Sequence, residues 1–152
     1  PLAEQGNNLA QYNLGVVYEH GEGVPQDSKT AVKWYTLAAE QGDATAQFSL
    51  GLIYRNGKGI PQNYETAVKW YTFAAEQGYT KAQYNLGLMY YNGEGVLTDF
   101  VYAHMWADIS ASKGSRLAIK LLQLLIKKMH STQIAEARVL TRKCIAKNYR
   151  DC

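Results

Sequence analysis

The chain is short of the residues that most chemistry needs. It has two cysteines and three histidines in 152 residues. Two cysteines cannot build a disulfide scaffold, and they leave the redox compartment open. Cys144 and Cys152 both lie near the C-terminus; on one continuous helix, eight residues would separate them by roughly 12 Å of rise, too far for a disulfide unless the end frays. His20, His104 and His130 stand apart, with no H-E-x-x-H or C-x-x-C spacing to bring two ligands together. No metal site and no cofactor are therefore expected. No run of about 18 apolar residues occurs, which excludes a membrane-spanning helix. A charged-then-apolar leader is also missing. The opening "PLAEQG" matches the later "LAAEQG" of Leu37 to Gly42, so the chain is expected to begin inside a structural unit, any leader having been removed.

Charge is sparse, at 19%, while a hydrophobic content of 47% is ordinary for a folded chain. The net charge of +3 conceals a gradient: residues 9–44 carry −3, 45–80 carry +1, 81–116 carry 0 and 117–152 carry +6, with Glu4 adding −1. A cationic last segment suits a solvated cap and the C-terminus of a helix. Its second reading is a nucleic-acid site built from Arg138, Arg142, Lys143, Lys147 and Arg150.

What the chain has in quantity is repetition. "AVKWYTLAAEQG" (Ala31 to Gly42) returns as "AVKWYTFAAEQG" (Ala67 to Gly78). On a period of 36, residues 9–44 and 45–80 agree at 21 positions, and 45–80 and 81–116 agree at 13. That period belongs to solenoid repeats. Each unit reads as two helices. In residues 45–80 the first runs from about Thr45 to Arg55, with Ala46, Leu50, Ile53 and Tyr54 at helical spacing. Gly57 and Gly59 stop it, and Pro61 stiffens the loop. Asp27, Asn63 and Asp99 are the expected N-caps of the second helices. The second helices end at Gly42, Gly78 and Gly114, with Gly6 matching them at the start of the chain. Asn7, Asp43, Thr80 and Ser115 are expected to start the first helices. Gly15, Gly51 and Gly87 fall inside first helices, at a cost of up to about 1 kcal/mol each relative to Ala. Close approach of the partner helix, through Ala31, Ala67 and Ala103, would compensate. Trp34, Trp70 and Trp106, with Tyr18, Tyr54 and Tyr90, read as a core ladder. Residues 117–152 depart from the pattern: Ala118 and Leu122 keep register with Ala82 and Leu86, but Gln123 replaces the glycine. Ser131 or Thr132 is the expected cap of a final helix whose Ile134, Ala137, Leu140, Thr141, Cys144 and Ile145 form an apolar stripe. The organisation is thus a repeat tail (1–8), three repeats (9–44, 45–80, 81–116) and a capping segment (117–152), a single all-α solenoid.

These residues carry a family resemblance. "AQYNLGLMYYNGEGV" (Ala82 to Val96), followed by "A…WY…AAEQG", resembles the Sel-one-like repeat, a branch of the tetratricopeptide-repeat superfamily. The superfamily pattern is met by Leu14, Gly15, Tyr18, Ala31 and Tyr35, and by Leu50, Gly51, Tyr54, Ala67 and Tyr71. The third unit has Leu86, Gly87, Tyr90 and Ala103, but Ala107 in place of the aromatic. The resemblance implies a right-handed α-solenoid of antiparallel helix pairs, with first helices lining a concave side. It implies binding of a protein or peptide, no common enzymatic activity, and a bacterial setting that is periplasmic, secreted or cytoplasmic. No small-molecule substrate, nucleic acid or membrane insertion is expected, and the chain is expected to be a monomer or to associate weakly end to end through its N-terminal edge.

On each first helix, the face beside the Leu/Tyr core stripe carries positions i, i+4 and i+7. They are Tyr12, Val16 and Glu19; Phe48, Leu52 and Arg55; Tyr84, Leu88 and Tyr91. His20, Asn56 and Asn92 adjoin them. The resemblance makes this the peptide-holding face. Glu19, Arg55 and Tyr91 change chemistry at one slot, which packing alone would resist. Tyr12, Phe48 and Tyr84 are explained equally by packing between neighbouring first helices, and the Asn pair by helix-end capping. Two decoys remain. The "GxG" loops lack the third glycine and the preceding strand of a phosphate site. Ser110-Ala-Ser-Lys113 fits the S-x-x-K motif of serine β-lactamases and penicillin-binding proteins but lacks its S-D-N and K-T-G companions.

Overall fold

The computed structural model describes residues 2–152; Pro1, the first residue of the expected repeat tail, lies outside them. Among the described residues there are eight helices and no strand: α1 (Asn8–His20), α2 (Ser28–Glu40), α3 (Ala44–Asn56), α4 (Tyr64–Glu76), α5 (Thr80–Asn92), α6 (Phe100–Ser112), α7 (Arg116–Ile126) and α8 (Ser131–Ala146). The chain divides into two compact units, Pro1–Trp70 and Tyr71–Cys152.

The helix ends follow the sequence closely. Asp27 accepts from the amides of Lys29 and Thr30, Asp99 from those of Val101 and Tyr102, and Asn63 from that of Thr66. Each satisfies amides that the first turn leaves without a carbonyl. Asn7, Asp43 and Ser115 cap α1, α3 and α7 in the same way. α5 differs: its N-cap position is Tyr79, whose side chain makes no capping hydrogen bond, and Thr80 is already helical. α8 differs too. His130 is its N-cap residue, and the Gln133 side chain accepts from the His130 amide at 3.0 Å, so Ser131 and Thr132 lie within the first turn instead of before it. Gly57 closes α3 at φ 66°, its amide donating to the Ile53 carbonyl, a conformation that a Cβ would strain.

In the first unit the core is built from Ala31, Tyr35, Ala38 and Ala39 of α2 against Ala46, Leu50 and Ile53 of α3. Tyr12, Val16 and Tyr18 of α1 pack around it. The glycine of α1 makes room for a ring: a Cβ on Gly15 would sit 2.6 Å from two ring carbons of Tyr35. The nearest neighbour of Gly15 is therefore the Tyr35 ring, whereas at Gly87 it is Ala103, as expected. In the second unit the same slot holds Ala107, and Gly87 meets backbone instead of a ring. A Cβ there would lie 3.1 Å from the Ala103 carbonyl oxygen and 3.3 Å from the Ala107 amide nitrogen.

The tryptophan ladder does not form as expected. Trp106 is buried, but Trp34 and Trp70 are only half-buried, as are Tyr18, Tyr54 and Tyr90. The fully buried rings are Tyr35 and Tyr71. Trp106 differs because α6 is covered by α5, α7 and α8 together. On α8, Ala137, Thr141 and Cys144 are buried as the stripe requires, whereas Ile145 stays 46% exposed.

The last turn meets the condition under which the two cysteines can pair, since the helix does not continue to Cys152. Cys144 and Cys152 form a disulfide with a Cα–Cα distance of 5.2 Å. The helix stops at Ala146, and Asn148, Tyr149 and Asp151 take φ of 54°, 66° and 49°. These left-handed residues turn the chain back on α8, so the rise of a continuous helix never accumulates.

Candidate interaction surface

The predicted row occupies the first helices, and its residues divide by what already holds them. In the first unit, Tyr12 and Val16 pack against the α2–α3 core, and the Tyr12 and Tyr35 rings are 5.5 Å apart. Glu19 accepts a hydrogen bond from the Tyr35 hydroxyl at 2.6 Å. Burial, and then that carboxylate, push the Tyr35 phenol well above the usual range, so it remains a donor. His20 is exposed, with Nδ1 3.0 Å from the Val16 carbonyl oxygen. Phe48, Leu52 and Arg55 are half-buried, and Asn56 is exposed at the helix end.

In the second unit, Tyr84, Leu88 and Tyr91 pack around a core that includes Ala103 and Ala107 of α6 and Leu121 and Leu125 of α7. The Tyr91 and Phe100 rings lie 5.7 Å apart, and Lys128 Nζ stands 5.0 Å from the Tyr91 centroid. Asn92 does not cap α5; Gly93 does, and the Asn92 side chain donates to Glu94 at 3.0 Å. The aromatic slot is thus partly a packing position, while the helix-end slots of His20, Asn56 and Asn92 reach solvent. Phe100 and Lys128 were not legible as members of this surface. The signal for Lys128 was present, since residues 117–152 keep register at Ala118 and Leu122.

The recurring glutamines were missed as well. Gln11, Gln47 and Gln83 are buried, and each donates through Nε2 to the carbonyl eight residues earlier, of Ala3, Ala39 and Ala75, at 3.0, 3.0 and 3.1 Å. A polar residue repeated in a buried register is the sequence signature of such a bond.

The S-x-x-K pair is structural. Ser110 is fully buried, and its hydroxyl donates to the Thr80 carbonyl at 2.9 Å. Lys113 donates to the Gly78 carbonyl at 2.9 Å and lies 4.1 Å from the Tyr149 ring centroid. Both groups secure the α4–α5 turn. Among the described residues, no three His, Cys, Asp or Glu side chains converge in a way that could hold a metal ion. No helix among them is long and apolar enough to cross a membrane. Arg138, Arg142, Lys143, Lys147 and Arg150 are all exposed on or after α8. At the other end of the chain, Leu2, Ala3, Ala10, Asn13, Leu14 and Val17 line an open apolar hollow of about 450 Å³.

Comparison with known proteins identifies this architecture. The Sel1 repeat matches residues 8–43, 44–79 and 80–115. The chain belongs to the Sel1 repeat family, and its fold is an all-α helical-repeat solenoid. A Sel1 repeat protein from Oxalobacter formigenes, known from its crystal structure, is 38% identical, with a TM-score of 0.73 over 80% of this chain and 91% of that one. A protective antigen present in uropathogenic Escherichia coli strains, also displaying an SLR fold, is 33% identical with a TM-score of 0.66. That match covers 97% of this chain but only 39% of the antigen. No curated protein sequence matches the chain significantly. Proteins of the Sel1 repeat class generally serve as scaffolds for protein–protein interaction.

Proposed function

We propose that the protein is a non-catalytic adaptor that holds a segment of another protein against its first-helix faces. The observation that carries this reading is the slot of Glu19, Arg55 and Tyr91. Its chemistry changes from unit to unit while the Leu–Gly–x–x–Tyr frame around it stays constant. The exposed helix-end residues His20, Asn56 and Asn92 flank that slot, and amide side chains can pair with both the donors and the acceptors of an extended backbone. Tyr12, Val16, Phe48, Leu52, Tyr84 and Leu88 would supply the apolar floor of the same faces.

The buried Ser110 supports the non-catalytic reading over hydrolysis or β-lactam acylation. The Cys144–Cys152 bond supports an oxidising compartment, periplasmic or secreted, over the cytoplasm. The test is capture of partners from the source cells by the native chain, by Arg55→Glu and by Tyr91→Ala, with helicity measured for each. A protein retained by the native chain and lost by a folded variant is the expected result. Equal retention by all three would refute the first-helix face as the site.

A further inference from the structure

The repeat register continues beyond the third matched unit. The N-cap positions of the first helices, Asn7, Asp43, Tyr79 and Ser115, follow one another at the repeat period. α7 is therefore a fourth first helix. The row Tyr84, Leu88, Tyr91 and Asn92 on α5 has as its counterparts Lys120 and Leu124 on α7, and Lys127 and Lys128 in the turn that ends it. All three lysines are exposed, and Leu124 keeps 48% of its surface in solvent. The two rows meet: Lys128 Nζ stands over both the Tyr91 ring, at 5.0 Å, and the Phe100 ring, at 5.8 Å.

The charge of this face has one sign. Between Asp108 and Glu136 the chain has no acidic residue, but it has Lys113, Arg116, Lys120, Lys127 and Lys128. The acidic neighbour on the α5 side, Glu94, already accepts a hydrogen bond from Asn92. In the first unit the corresponding slots hold Tyr12, Val16, Glu19 and His20. The basic character is therefore particular to the α5–α7 face and not a property of the repeat.

We infer that the α5–α7 face binds an acidic segment of a partner protein that also carries aliphatic side chains. This deepens the adaptor reading and rests on it. Carboxylates of the segment lie beside Lys120, Lys127 and Lys128, and its aliphatic groups cover Leu124. Three lysines spaced around an exposed leucine match alternating acidic and aliphatic residues better than a continuous phosphate backbone. Single-stranded nucleic acid binds through open ring faces on which bases stack. Here the Tyr91 and Phe100 rings are half-buried and carry Lys128 above them.

The experiment uses the full chain and three fluorescent peptides of equal length. All three share the same leucines, with the intervening positions entirely glutamate, glutamine or lysine. The glutamate peptide is expected to bind at least about tenfold more tightly than the glutamine peptide, with affinity falling as salt rises. Lys120→Glu with Lys127→Glu and Lys128→Glu, all at exposed positions, should reverse the order of the glutamate and lysine peptides without loss of helicity. Leu124→Ala should weaken the glutamate peptide several-fold while leaving its preference over the glutamine peptide intact. Equal binding of the glutamate and glutamine peptides would overturn the inference. So would an unchanged order in the triple variant, or tighter binding of a single-stranded oligonucleotide or of phosphatidylglycerol vesicles to the same lysines. If the acidic preference is absent while the native chain still captures a protein that Arg55→Glu loses, this inference falls and the adaptor reading stands.

Discussion

Gly15→Ala should destabilise the protein even though alanine is the better helix former. The exchange gains up to about 1 kcal/mol of helix propensity. Against it stands the Tyr35 ring, with two carbons 2.6 Å and a third 3.1 Å from the new methyl group. Ordinary carbon contacts need about 3.5–4.0 Å, so the ring must retreat by roughly 1 Å. Tyr35 is 1% exposed and its hydroxyl is held by Glu19 at 2.6 Å, so it has little room to move. Overpacking of this kind costs about 1–3 kcal/mol, and weakening a hydrogen bond to a carboxylate adds about 1.5–3 kcal/mol, less where solvent reaches the half-buried Glu19. The net loss is about 1–4 kcal/mol once the hydrogen-bond contribution is reduced for solvent, a fall in melting temperature of several degrees or more. Urea denaturation of Gly15→Ala in the native background and in Tyr35→Leu separates the terms. If the ring is the obstacle, the alanine costs stability in the first background and adds it in the second. Stabilisation in the native background, or the same cost in both, would refute the steric argument.

Other perturbations follow from the same geometry. Opening the Cys144–Cys152 bond, by reduction or Cys152→Ser, should cost about 2.5 kcal/mol on a loop-closure estimate for a separation of eight residues, read as a lower melting temperature. His104 is buried, and burial holds its pKa below the usual value, with Arg138 adding to the effect and Asp108 opposing it. The unfolded chain then binds the proton more readily, so stability is intact above the ordinary histidine pKa of about 6.5 and is lost as pH falls through it toward the folded value. His104→Val, which restores the residue found at Val32 and Val68, should flatten that part of the pH–stability curve; an unchanged slope would assign it to other groups. Gln47→Ala leaves the Ala39 carbonyl without its side-chain donor and should cost about 1–3 kcal/mol in urea titrations, whereas an exposed control such as Gln123→Ala should change little.

The elements were legible because period, caps and glycine stops agree. Asp27, Asp43 and Asp99 mark helix starts that any reader of side-chain oxygens would find. Identifying which aromatic is buried was harder. Trp34 and Tyr35 are adjacent and both recur at the period, and only the ring facing Gly15 goes inside. That choice depends on the angle between two helices, which no periodicity encodes. The disulfide was hidden for a related reason: Asn148 and Asp151 in "AKNYRDC" tolerate left-handed backbone, but the stretch has no glycine to mark a stop and Tyr149 gives no sign of it. The proposed row could be read from the sequence as far as Asn92. Beyond it the register continues through Ser115, Ala118 and Leu122, but the change from aromatic to lysine at the row's positions hid their membership.

The buried glutamine bond has a consequence for how such a chain can grow. Each bond closes within eight residues, from the start of one unit to the end of the unit before it. A gene duplication that inserts one whole repeat between Gln47 and Gln83 therefore brings its own donor and its own acceptor and leaves no carbonyl stranded. An insertion that falls between a donor and its acceptor, as between Ala75 and Gln83, would part that pair. Lengthening by complete units thus keeps every such joint, and the slots proposed to face a partner can diversify in each new copy without reworking it.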